Sequence, residues 1–507
     1  MAEEAKLDNR RIMKNSVMLY VRSLFTMAIG LYTSRVVLEV LGIDDFGVYS
    51  VVGSLVVVFG FFTSSVASSI SRFVSFELAS GDTRRLRSTF NSGMVIVLCL
   101  AGIIILVSET VGLWAFGRLN LPAGSERAAM WVYQLSIATA ILNLLQTSYI
   151  STIIAHERMG VFAYVDIINS TLKLAAIFVL KFTGSDKLVL YAFLVMAVMM
   201  LVTTGTAIYC RRSFAECRID LRADRDIIRP MMVFSGWNLF KTGCDAARPT
   251  GINVVVNLFF GVALNAAVGV AMNVSANMFK FTANVFTAFK PQIIKAYGMR
   301  AFGNMQSLLA NAYRFSLSMQ MIVTIPLLLE MPYILKIWLG VYPDYAVVFC
   351  RLLLVSMLFD AMISITEYGI NATGKIMRFS LVNGLLTISP VVVGCVAFSY
   401  GAPPQTVYAA QAAACAVALV CDLAILKSLV PEINIGAAYS ILLRIGCVGA
   451  VAAGAAWWCG SLVPHNGVVR LLTVCAVSTV LCCAGVWQFA LGDSARAIVR
   501  KKLKKIF

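Results

Sequence analysis

Hydrophobic stretches of about 20 residues, the length of helix that crosses a bilayer, follow one another along almost the whole chain. Fourteen can be drawn, at 15–40, 46–72, 89–114, 128–155, 161–182, 188–210, 231–257, 264–290, 309–335, 346–371, 380–400, 406–430, 442–462 and 468–491. Hydrocarbon offers no partner to a backbone N–H or C=O, so such a chain must fold as a bundle of helices. The expected class is an all-α polytopic membrane protein with about fourteen transmembrane helices and no soluble domain. The apolar run after Lys14 is too long for the core of a cleavable signal and reads as the first span.

A net charge of +17 would suggest nucleic acid in a soluble protein, but its distribution suggests a membrane. Lys and Arg crowd one set of alternate connections: Lys6 to Lys14, Arg84 to Arg87, Arg211 to Arg229, and the tail from Arg500 to Lys505. The positive-inside bias then puts both termini in the cytoplasm, as an even number of spans requires. Anionic headgroups explain a short basic tail beside a span better than nucleic acid does. The 13 cysteines are scattered without a CxxC pair, and adjacent Cys482 and Cys483 read as small residues of the last span. Only His156 and His465 exist, one expected at each membrane surface, so no metal, cofactor or histidine-based catalysis is expected.

Two stretches about 220 residues apart share an order of short motifs. Leu19-Tyr20-Val21-Arg22, Leu41-Gly42, Gly47-Val48-Tyr49, Gly81-Asp82 and Phe90-Asn91 make up the first. Leu239-Phe240-Lys241-Thr242, Phe260-Gly261, Gly269-Val270-Ala271, Gly298-Met299 and Ala310-Asn311 follow in the second. The pattern implies an N-terminal six-helix lobe (1–215), a C-terminal six-helix lobe (216–435), and two further helices with a basic tail (436–507). Parallel repeats of this kind form a V-shaped cleft with the substrate between the halves.

Six cations inside the spans stand out: Arg22, Arg35, Lys173, Lys241, Arg248 and Lys280. A cation at bilayer depth costs roughly 2.5–3.5 kcal/mol on insertion scales, so it normally faces a bundle interior or a wet cavity. Several together, exceeding the acids near them, suggest a cavity that holds an anion. Arg22 and Lys241 occupy matching positions in the repeat and would face one another across the cleft. Snorkelling from a helix end is the competing explanation and suits Arg35 best. Lys241, Asp245 and Arg248 lie at i, i+4 and i+7 on one helix face, where Asp245 pairs with one cation and leaves one over. Pro249 follows, freeing a carbonyl and permitting a bend. Asp166 shares a face with Lys173, and Asp360 with Glu367; these four acids, with Asp245 among them, balance charge or bind a coupling ion.

A resemblance covers nearly the whole chain. It rests on Leu41-Gly42-Ile43-Asp44-Asp45-Phe46-Gly47-Val48-Tyr49, on Ser71-Arg72-Phe73 leading to Gly81-Asp82, on Trp338-Leu339-Gly340 with Pro343-Asp344-Tyr345, and on Ala372-Thr373-Gly374-Lys375. In these the chain resembles the O-antigen and capsular polysaccharide (oligosaccharide) flippases of the multidrug/oligosaccharidyl-lipid/polysaccharide exporter superfamily. The resemblance implies an inner-membrane protein that moves an undecaprenyl-diphosphate-linked repeat unit from the cytoplasmic to the periplasmic leaflet. It also implies membrane lipids, a polysaccharide polymerase and chain-length machinery as partners, and no nucleic acid. Arg and Lys in a wet cavity give an independent reason, because they replace the hydration a diphosphate loses.

Other readings stay open at this point. A lipid II flippase would have the same spans and charge, and a drug or cation antiporter the same superfold with acids dominating the first half. A polysaccharide polymerase or ligase needs a long external loop with reactive groups, which this chain lacks; a transporter rather than an enzyme is expected. The topology makes the first prediction. Single cysteines at Arg222 and Gly340, in a cysteine-free background, should respectively resist and accept an impermeant thiol reagent in outer-membrane-permeabilised cells. Labelling at Arg222 but not at Gly340 would reverse the orientation.

Overall fold

The computed structural model describes residues 2–57, 59–117, 126–181, 186–218, 220, 224–463 and 467–490, and is all-helical among them. Fourteen helices of at least 18 residues carry the chain back and forth. The first six are α1 (Ala2–Val57), α2 (Gly60–Ser80), α3 (Thr83–Val107), α4 (Glu126–Ala155), α5 (Met159–Lys181) and α6 (Lys187–Ser213). A second set follows: α7 (Arg225–Phe260), α8 (Val262–Gly298), α9 (Phe302–Leu339), α10 (Ala346–Thr373), α11 (Met377–Ser399) and α12 (Thr406–Leu429). The last pair is α13 (Ile435–Ser461) and α14 (Val468–Gly485). The chain divides into two compact units, Met1–Leu239 and Phe240–Phe507.

Ten of the described helices are long and apolar enough to cross a bilayer; α1, α2, α7 and α8 are not among them. Serines run through α2, and α7 carries Lys241, Asp245 and Arg248 in its interior. Several helices outrun their apolar spans: α7, α8 and α9 have 36, 37 and 38 residues. Hydropathy marks only the part of a helix that belongs in hydrocarbon; its polar ends continue the same hydrogen-bond ladder into water. The bend expected at Pro249 is not a break, since α7 remains helical through it.

The internal repeat is visible in the backbone. Gly42 interrupts α1 at φ 82°, ψ 173°, and Gly261 separates α7 from α8 at φ 79°, ψ −176°. The two glycines are 219 positions apart, as are Arg22 and Lys241. This region of φ/ψ is open essentially to glycine alone, so each marks a sharp reversal that no other residue would make cheaply. The same offset links left-handed Gly81 (φ 76°) to left-handed Arg300 (φ 54°). The sequence pairing of Gly81 with Gly298 is therefore two residues short: α8 runs through Gly298 and turns only at Arg300.

Small residues set the helix contacts in the first unit. Ser65 and Ser69, one turn apart on α2, donate to the carbonyls of Ser235 (2.6 Å) and Met231 (3.2 Å) on α7. Ser151 of α4 donates to Ala67 O at 3.2 Å. Hydroxyls this short let backbones approach closely while remaining bonded, which is how helices associate where lipid gives no hydrophobic drive. At the end that carries Arg84 to Arg87, the segment between α6 and α7 is lashed down. Asn91 accepts from Asp220 N at 2.8 Å and donates to Arg218 O at 3.2 Å, and Ser92 accepts from Asp224 N. His156 bonds Glu216 and stacks on Phe214, with ring centroids 4.1 Å apart. Burial opposes the Glu216 charge, but the His156 hydrogen bond and a backbone N–H hold its pKa below the ordinary glutamate range. His156 thus has a structural partner, and His465 lies outside the described residues.

In the second unit α13 and α14 pack against α9. A Cβ on Gly449 would lie 2.8 Å from Met321 Sδ, and one on Gly460 2.9 Å from Val474, so these glycines permit the approach. Cys482 is buried with Ile325 and Ala452, while Cys483 is exposed. α9 kinks at Glu330 (φ −102°, ψ 18°) between Pro326 and Pro332. Pro332 has no N–H for the carbonyl four residues back, and Arg351 Nε fills that place at Leu328 O (2.8 Å). Buried Glu330 is paired with Arg470 Nε of α14 at 2.9 Å.

The glycine hinges are testable. Gly42→Ala and Gly261→Ala should each destabilise the detergent-solubilised protein by about 1–3 kcal/mol. Gly102→Ala, in open space on helical α3, should be neutral or slightly stabilising by thermal melting. Equal melting temperatures for all three variants would mean that the reversals do not need glycine.

Candidate functional site

A cavity of about 590 Å³ lies within the second unit, enclosed by α7, α8, α10, α11 and α12. Its polar wall is a chain of charges from different helices. Lys241 Nζ lies 3.1 Å from Asp245 Oδ2, one turn along α7, and 3.0 Å from Glu367 Oε2 on α10. The Lys241 and Glu367 side chains are only 14% and 16% exposed, and an ammonium at this depth is stable because two carboxylates hold it. Lys241 also lies 5.8 Å from the centroid of the Phe379 ring on α11. Asn371 donates to the other Glu367 oxygen at 3.4 Å. Two turns along α7, Arg248 faces Asp360 and Cys415, and Cys415 Sγ lies 3.3 Å from Asp360 Oδ1.

Two further ionisable groups lie behind this wall, outside the cavity lining, and sequence reasoning passed over both. Lys290 of α8 lies 5.5 Å from the Tyr368 ring and has Glu367 as its electrostatic neighbour. Asp422 of α12 is fully buried, accepts from Asn383 Nδ2 at 2.7 Å, and neighbours Lys241 and Glu367. A lone acid in an Ala-rich span was the available signal for Asp422, since an intramembrane carboxylate is rarely incidental. Lys290 sits at the edge of its apolar stretch and gave none.

The described residues of this cluster therefore hold four carboxylates (Asp245, Asp360, Glu367, Asp422) against three cations (Lys241, Arg248, Lys290). The surplus cation expected from the Lys241, Asp245, Arg248 face is not found, because α10 and α12 bring acids that spacing along α7 could not reveal. The side chain of Lys280 lies outside the described residues.

In the first unit two of the predicted cations meet at one acid. Arg22 of α1 lies 3.5 Å from Asp166 of α5 and 4.6 Å from the centroid of the Phe162 ring. Its NH2 group donates to Ser23 Oγ at 3.3 Å. Lys173, two turns along α5, has the same Asp166 as its electrostatic neighbour. Asp166 thus neighbours two cations. The Arg22 and Asp166 side chains are 16% and 39% exposed, so the pair is reachable rather than sealed. The side chain of Arg35 lies outside the described residues.

No protein-family model and no curated protein matches the chain. Solved structures do match in fold. A multidrug resistance MATE family transporter of the MOP superfamily, in its outward-facing conformation, superposes with a TM-score of 0.71 at 13% identity. That match covers 83% of this chain and 97% of the other. A MATE structure in a straight conformation gives 0.70 at 13% identity over the same shares. A MOP superfamily transporter from Pyrococcus furiosus Vc1 (DSM3638), described as having a binding pocket of reversed polarity, gives 0.67 at 12% identity. It covers 83% of this chain and 96% of that one. The fold is the MATE fold, and the chain is a multi-pass membrane protein.

Proposed function

We propose that this protein is a transporter that moves an undecaprenyl-diphosphate-linked oligosaccharide repeat unit from the cytoplasmic to the periplasmic leaflet of a bacterial inner membrane. The single observation that carries the reading is that Arg22 and Lys173 share one carboxylate, Asp166. An arginine and a lysine brought to the same acid offer a diphosphate two cations at one place, and arginine adds a bidentate contact. The cavity of the second unit has a different character. Asn383, Thr387 and Gln411 stand beside apolar side chains, a mixture suited to sugar hydroxyls. The sequence motifs that resemble the flippases supply the substrate class, and the fold supplies a transport architecture.

A second reading is favoured by one observation. The carboxylates of the described cluster in the second unit would suit an organic cation, so a drug antiporter on the same fold is the alternative. Its acids would have to dominate the first unit as well, where Arg22 and Lys173 stand instead.

One experiment separates these readings. Cells lacking the protein should accumulate a polyprenyl-diphosphate-linked oligosaccharide on the cytoplasmic side, lose the surface glycan, and regain it on complementation. Unchanged lipid-linked intermediates, together with increased sensitivity to lipophilic cations, would select the antiporter. Accumulation of the peptidoglycan precursor lipid II alone would select a lipid II flippase.

A further inference from the structure

α9 and α13 run side by side in a constant register. Gln306 and Asn434 exchange two hydrogen bonds, Gln306 Nε2 to Asn434 O at 3.2 Å and Asn434 N to Gln306 Oε1 at 2.9 Å. Further along, Met321 meets Gly449, and Ile325 packs in one cluster with Ala452. In this register Arg444 falls two to three positions beyond the residue set against Arg314, less than one helical turn away, and Arg314 has it as an electrostatic neighbour. Among the described residues neither makes an ion pair. Arg314 spends one donor on Asn311 Oδ1, at 3.4 Å on its own helix.

Two guanidiniums brought together without an acid repel, and a bundle that gained nothing from the pair would be steadier without it. The depth of the pair explains what it can gain. Arg444 lies ten residues beyond the Asn434 cap of α13, or roughly 15 Å at 1.5 Å per residue. With the Asn434 cap at the outer edge of a headgroup region about 5–8 Å thick, the arginines root roughly 7–10 Å into the hydrocarbon, within reach of the phosphates for a snorkelling side chain. Their sequence neighbours Phe315 and Leu443 are 41% and 68% exposed, which gives the seam an acyl-chain surface beside its charge.

We propose that Arg314 and Arg444 form a binding site for the phosphate headgroup of an anionic phospholipid at the seam between α9 and α13. One phosphate between the two guanidiniums turns their repulsion into charge-assisted hydrogen bonds, which arginine can make in pairs. The acyl chains of the same lipid then cover Phe315 and Leu443. A free phosphate would leave those side chains uncovered, and this distinguishes the two sources of the same chemistry. The lipid would join α13 to α9 near the end opposite the Glu330–Arg470 pair, so the terminal helices would be held at both ends.

The test is native mass spectrometry and thermal melting of the full-length protein in detergent, titrated with dioleoylphosphatidylglycerol. The expected result is saturable retention of the lipid that dioleoylphosphatidylcholine and inorganic phosphate do not displace. Arg314→Gln with Arg444→Gln should weaken it about tenfold, the loss of a charge-assisted bond, while Arg→Lys variants fall between. If the double variant does not fold, Arg444→Gln alone is read by the same criterion, because that side chain is exposed. Unchanged retention in the variants, or equal displacement by phosphatidylcholine or inorganic phosphate, would overturn the proposal. Displacement by undecaprenyl diphosphate at equal concentration would also overturn it, by assigning the seam to the substrate.

Discussion

A charge taken into a bilayer must be met by another helix, and the second unit is organised around that requirement at Lys241. Its ammonium is reached by Asp245 from its own helix and by Glu367 from α10, both at about hydrogen-bond distance. Removing either acid would leave a buried cation half-compensated, a loss that typically costs 3–5 kcal/mol where a buried pair is broken. The pair therefore fixes how α7 and α10 approach. Asn371, Asp422 and Asn383 extend the network to α11 and α12. Polar side chains that would each be a burden alone are stable as a connected set.

The two units answer the same requirement with different sets of charges. Arg22 and Lys173 meet at Asp166 in the first, whereas among the described residues of the cluster in the second four carboxylates stand with three cations. The repeat places Arg22 and Lys241 at equivalent positions, yet their surroundings differ because α5 and α10 are not equivalent in charge. An unequal pair of lobes suits a substrate with unequal ends, an anionic diphosphate and a neutral, hydroxyl-rich glycan. That asymmetry is the physical core of the proposed function.

The sequence made the helices legible because apolar runs of spanning length have one solution in a membrane. It also made the Lys241, Asp245, Arg248 face legible, since all three lie on one helix and the spacing alone orients them. The partners of that face were not legible as such. Which acid on α10 or α12 meets which cation depends on helix packing, and spacing within one helix carries no information about its neighbours. Arg314, Arg351, Arg444 and Arg470 lie near the starts of their apolar runs, and the sequence reading did not single them out. In the structure they donate to side-chain or backbone acceptors, or to one another's field, within the helices. The repeat was readable at Leu41-Gly42 and Phe260-Gly261 because glycine was required at both. It slipped by two residues at Arg300, where a non-glycine residue adopts the left-handed turn.

The account rests most directly on Arg22 and Lys173 as the anion-binding cations of the first unit, and binding of a polyprenyl diphosphate measures it. The purified protein should bind such a probe, and Arg22→Gln or Lys173→Gln should each weaken binding about ten- to hundredfold, the range expected for charge-assisted hydrogen bonds. Asp166→Asn, which removes the shared acid, should leave binding intact or tighten it. Weaker binding in Asp166→Asn with none lost in the cation variants, or tighter binding of a lipophilic cation than of the diphosphate, would contradict the account.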